Sequence, residues 1–185
     1  MFIVFDLEIT DSSREHGRII EIGAIAVRQD DVEKVEGTTV GSFSRKVNPD
    51  GRGFGHVNKQ MMERRGLHEK DLLNEDKFDV VGKDFVSWMK TMVREEDVGV
   101  LVAHNGSVDF QFLALEFQRT KGALQMPPNV QTTLCTLQNS KLVPSYLSVD
   151  DDAWPALTQG LSKSFTSAKV WLLPLHSGDF CMQTD

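Results

Sequence analysis

The stretch FDLEIT, residues 5–10, sets two carboxylates, Asp6 and Glu8, inside an apolar run that begins at Phe2. A continuous apolar run of this length reads as a central strand. Successive side chains of a strand point to opposite faces, so Ile3, Phe5, Leu7 and Ile9 share one face, and Phe2 and Val4 lead to Asp6 and Glu8 on the other. Strand geometry holds the two acids roughly 6–7 Å apart. Burying such a pair without compensation costs several kcal/mol. A divalent cation between them removes that cost, and the rest of the chain must then supply its other ligands.

Two more strands follow after short polar turns: RIIEIGAIAVRQ, and TTVGSFSRKVNPDG with its Asn-Pro-Asp-Gly turn. Short connections predict an antiparallel three-strand meander. From Phe78 the period changes to that of a helix, with Val81, Phe85, Trp88, Met89 and Met92 on the face expected to enter the core. VGVLVAHNG then reads as a buried strand that leads into a helix, SVDFQFLALEFQRT, in which Val108, Phe112 and Leu115 share a face. This junction delivers Asp109 into a first helical turn, where the helix dipole favours an ionised carboxylate. TTLCTLQNSKLV fits a short strand or a helix, and beyond Pro144 the acidic Asp150–Asp152 run, Pro155, Gly160 and SKSFTS interrupt any period. The element order predicts an α/β fold, a mixed sheet flanked by helices. If the first and fourth strands are adjacent and parallel, Asp6, Glu8 and Asp109 converge, and an oxygen-only ligand set selects a hard cation such as Mg²⁺ or Mn²⁺.

At 185 residues, 40% of them hydrophobic and 25% charged, the chain matches one globular domain spanning 1–185. A net charge of −7 argues against a broad basic nucleic-acid surface, so any such contact should be local or metal-mediated. Cys135 and Cys181 form neither a metal-ligand spacing nor a disulfide framework. With no basic leader and no apolar run of membrane-spanning length, the expected location is intracellular, cytoplasmic or nuclear, without a membrane partner. Glu21, His16, His56, His68 and His104 read as ordinary surface or core polar residues.

Taken together, these motifs resemble the DnaQ-like, or DEDD, 3′–5′ exonucleases of ribonuclease H-like fold. The Asp-x-Glu motif is matched by FDLEIT, the following strand by IIEIGAIAV, and the Asn-x-x-x-Asp motif by VAHNGSVDF at Asn105 and Asp109. VNPDG and RRGLHEKDL lie at the family's distances, LVAHNG is most similar to the three-prime repair exonucleases, and the likeness covers residues 2–142. It implies hydrolysis of terminal phosphodiesters of DNA or RNA at a free 3′ end, releasing nucleoside 5′-monophosphates, with two Mg²⁺ or Mn²⁺ ions per site. Asp6, Glu8, Asp109 and a late Asp would be the metal ligands, Leu7 and Ile9 would abut the terminal nucleotide, and Asn105 would brace the loop that positions Asp109. The family's third motif, His followed five residues later by Asp, is not matched: five beyond His176 stands Cys181, and the nearest acid is Asp179. His176 is the candidate base and Asp179 the candidate fourth ligand. The alternative is a catalytically impaired ribonuclease H-like module that binds nucleic-acid ends or a protein partner.

Overall fold

The computed structural model describes residues 1–28, 38–51, 59, 62–63, 66–104 and 106–135. In chain order these form β1 (Phe2–Ile9), β2 (Ile19–Arg28), β3 (Thr38–Lys46), α1 (Glu69–Leu72), α2 (Phe78–Met92), β4 (Gly99–Ala103), α3 (Gly106–Arg119) and β5 (Val130–Cys135). The sheet has five strands in the order β3-β2-β1-β4-β5. β1, β2 and β3 are antiparallel neighbours, whereas β1–β4 and β4–β5 pair in parallel. The expected mixed sheet is therefore observed, and the segment that fitted either strand or helix is a strand from Val130 to Cys135.

Apolar alternation explains which face of the sheet α2 and α3 cover. Ile3, Phe5 and Leu7 of β1 and Ile22, Ala24 and Ala26 of β2 form the main core with Phe78, Val81, Phe85, Val86 and Met89 of α2 and Phe112 and Leu113 of α3. The opposite face buries a smaller set, Val4, Ile25, Val27 and Val102, and this is the face on which Asp6 and Glu8 lie. Trp88 and Met92 sit at the margin of the main core, partly buried, with Trp88 against Phe43 at a ring separation of 5.7 Å. After β3 the chain turns at Asp50 and Gly51, both at positive φ (54° and 78°), and the Asn48 side chain accepts the Asp50 N–H at 2.9 Å.

The α3 face differs from expectation. Its buried stripe is Asp109, Phe112, Leu113 and Glu116, while Val108 and Leu115 are only half-buried. The helix is rolled so that two carboxylates are buried: Glu116 meets arginines, and Asp109 is shifted toward its neutral form, as described below. Residues 136–185, which include Asp150–Asp152, lie outside the described residues. Among the described residues no helix is long and apolar enough to cross a membrane.

Candidate acidic site

The register of β1 decides which groups meet. In the antiparallel pair with β2, Asp6 stands opposite Gly23 and Glu8 opposite Glu21, so both acids and Glu21 share one face. In the parallel pair with β4, Phe2, Ile3 and Val4 align with Val100, Leu101 and Val102. β4 thus ends beside the point at which β1 presents Asp6, and the chain turns there into α3, whose first turn carries Asp109. Phe5 and Phe110, each the chain neighbour of one of these acids, pack at a ring separation of 5.5 Å and fix the two elements together.

The junction itself is tight. The Gly106 N–H donates to Cys135 Sγ at 3.3 Å, and the Cys135 thiol donates to the His104 carbonyl at 3.5 Å. A Cβ at position 106 would fall 2.5 Å from the Phe110 ring and 2.9 Å from Cys135 Cβ, so glycine is needed for β4, β5 and α3 to approach this closely. Opposite the junction, the β1–β2 turn is clamped to α3. Glu116, 1% exposed, accepts from the Arg18 guanidinium at 2.7 and 3.1 Å and from Arg119 at 2.9 Å. Arg119 also donates to the carbonyls of Arg14 and Gly17 at 2.9 Å each. This network was not legible as such in the sequence. Its one signal was a glutamate seven residues after Asp109, on the same helical stripe, with Arg119 one turn further on.

Electrostatics at the site runs against the expectation from the helix terminus. Asp109 is 6% exposed, and burial, followed by the nearby charge of Asp6, pushes its carboxyl up to about 7. A helix dipole contributes about 0.3–1 kcal/mol in favour of the ionised form. The desolvation of a buried carboxylate outweighs that, which is why the carboxyl is raised rather than lowered. Glu21, also 6% exposed, is raised by burial first, with Lys46 opposing the rise and Asp6 adding to it. Glu8 is 5% exposed and Asp6 half-buried.

The structure therefore brings Asp6, Glu8 and Asp109 to one end of the sheet. Leu7 lies in the main core and Ile9 is half-buried against it, while His16, His68 and His104 are exposed, as expected. Asn105, His56, His176 and Asp179 lie outside the described residues. Among the described residues, no group of three or more His, Cys, Asp or Glu side chains is drawn together closely enough to hold a metal ion. The donor chemistry nevertheless suits one: the acids supply only oxygen, and the charge of half-buried Asp6 acts against that of buried Asp109, a repulsion that a hard cation would reverse.

Comparison with known proteins bears on this arrangement. The RNase_T family, described as Exonuclease, matches residues 3–166. A DNA polymerase III PolC-type from Oceanobacillus iheyensis is 31% identical over 133 residues, 71% of this chain, and one from Thermotoga petrophila is 24% identical over 131 residues. The chain spans about 8% of the length of these polymerases. Among solved structures, the nuclease domain of 3′hExo bound to rAMP superposes with a TM-score of 0.55 at 18% identity, covering 77% of this chain and 71% of that one. Cell-death related nuclease 4 gives 0.57 at 19% identity, covering 80% and 50%. Exonuclease I with bound product gives 0.56 at 11%, covering 81% and 33%. These structural likenesses carry the fold, and the family match carries the assignment: this chain belongs to the DnaQ-like exonuclease family.

Proposed function

We propose that this protein is a metal-dependent 3′–5′ exonuclease that hydrolyses the terminal phosphodiester of DNA or RNA and releases nucleoside 5′-monophosphates. The observation that supports it best is the placement of Asp6 and Glu8 on β1 and of Asp109 in the first turn of α3 at the same end of the sheet, beside a junction closed by Gly106 and Cys135. Asp6, Glu8 and Asp109 would hold Mg²⁺ or Mn²⁺, two ions per site, with Asp179 as a further ligand. When bound, such ions supply Lewis-acid stabilisation of charge on the phosphoryl group. The chain's own residues supply the rest. The carboxylates orient and localise the cations, His176 accepts the proton of the attacking water, and Asn105 braces the loop before Asp109. The backbone at Leu7 and Ile9 abuts the terminal nucleotide.

Net charge fits this reading, since a chain at −7 has little long-range attraction for a polyanion and depends on cations at the scissile phosphate. The neighbours that carry a ligand, 3′hExo bound to rAMP and exonuclease I with bound product, support a nucleic acid as the ligand of this chain. The test uses single-stranded DNA and RNA labelled at the 5′ end, incubated with Mg²⁺ or Mn²⁺. A ladder that shortens from the 3′ end and is abolished by chelator or by Asp6→Ala is expected. Intact substrate under all of these conditions would reject the reading.

A further inference from the structure

Glu21 is placed in a way that an ordinary core glutamate is not. It faces Glu8 directly across the β1–β2 pair, where opposed side chains have Cβ atoms about 4.5–5.5 Å apart and like charges destabilise the sheet. Its neighbour along the same face of β2 is Gly23, opposite Asp6, so Glu21 is the side chain that β2 contributes to this end of the face. It is 6% exposed, and among the described residues no hydrogen bond or close ion pair reaches its carboxylate, which feels only the more distant charges. The charges acting on it are Lys46, its cross-strand neighbour on β3, which is half-buried, and Asp6. A buried carboxylate without a hydrogen bond is costly, and one aimed at a second carboxylate more so. Structural packing alone gives no reason for a glutamate here, since neighbouring β2 positions hold Ile, Gly and Ala.

We propose that Glu21 is a further carboxylate of the cation site, sharing a divalent cation with Glu8 across the β1–β2 pair and setting its affinity. This rests on the cation-dependent reading above. Lys46 then acts as the competing positive charge that holds Glu21 when no cation is present. The competing explanation is that Glu21 serves only as the counterion of Lys46.

Binding of Mn²⁺ to the full chain, followed by electron paramagnetic resonance and calorimetry, separates the two. Asp6→Asn is the control for the site itself, Glu21→Gln tests the proposal, and Lys46→Met removes the competing charge. Loss of Mn²⁺ affinity in Asp6→Asn together with a drop of about 10–100-fold in Glu21→Gln is expected, the range seen when groups supporting a metal site are removed. Lys46→Met should bind Mn²⁺ more tightly than the parent. If Asp6→Asn loses binding while Glu21→Gln keeps the parent's affinity, Glu21 is no part of the site and the proposal alone falls. Should Asp6→Asn bind as the parent does, the site reading fails and takes the proposal with it. If Glu21→Gln does not fold, Glu21→Asp decides: it keeps the charge and shortens the side chain, so weaker Mn²⁺ binding upholds the proposal, and the parent's affinity overturns it.

Discussion

Asp109 offers the most direct physical test, because its burial makes the cation-free protein sensitive to pH. Its carboxyl is pushed up to about 7 by desolvation and by Asp6, from 3.8 in the open chain. Between these two values the folded state holds a proton that the unfolded state has released. Stability therefore falls as pH rises: the Asp109 contribution is complete below pH 4 and lost through pH 7. At 1.36 kcal/mol per pH unit the interval corresponds to an upper bound of about 4 kcal/mol, and partial solvent access lowers it toward about 2. Asp109→Asn removes the titration while keeping the shape. Urea unfolding in chelator at pH 4 should find variant and parent nearly equal, and at pH 8 should find the variant more stable by about 2–4 kcal/mol. Saturating Mn²⁺ should invert that order, since a ligand that binds only the folded parent stabilises it by mass action. Parallel pH curves for the two proteins in chelator would refute the reasoning, because they would mean that Asp109 ionises in the fold as it does in the open chain.

Other outcomes follow from the same geometry. Glu116→Ala leaves Arg18 and Arg119 without their shared acceptor and should cost about 3–5 kcal/mol in chemical denaturation, the range for breaking a buried pair; a cost below 1 kcal/mol would show that the clamp is dispensable. Gly106→Ala forces a Cβ against Phe110 and Cys135, so a loss of about 1–3 kcal/mol is expected by thermal denaturation, together with weaker Mn²⁺ binding as the first turn of α3 shifts. Phe85→Ala empties a position at 0% exposure in the main core and should lower stability by about 3–5 kcal/mol without altering Mn²⁺ affinity per folded molecule. Truncation before Pro174 tests His176 and Asp179: a large loss of turnover with the fold intact is expected, and full exonuclease activity in the shortened chain would remove both from the mechanism.

Much of this was legible in the sequence because the relevant signals are local. The alternation through FDLEIT dictated that Asp6 and Glu8 share a face whatever surrounds them, and the change of period at Phe78 announced α2. The strand-to-helix switch at VAHNG put Asp109 in a first turn. What local pattern could not supply was register. Only the pairing of β1 with β2 decided that Glu21 opposes Glu8, and only the β1–β4 alignment brought the turn into α3 beside Asp6. The roll of α3 was likewise invisible, since a carboxylate such as Glu116 counts as polar in any periodicity until Arg18, from the distant β1–β2 turn, joins Arg119 of its own helix and makes its burial tolerable. Asp109 departs from the helix-dipole expectation for a related reason: the helix dipole is written in the local chain, whereas desolvation depends on everything that packs around the carboxyl. Sequence determined which chemical groups this end of the sheet would present, and tertiary structure decided which of them face one another and how far each is removed from water.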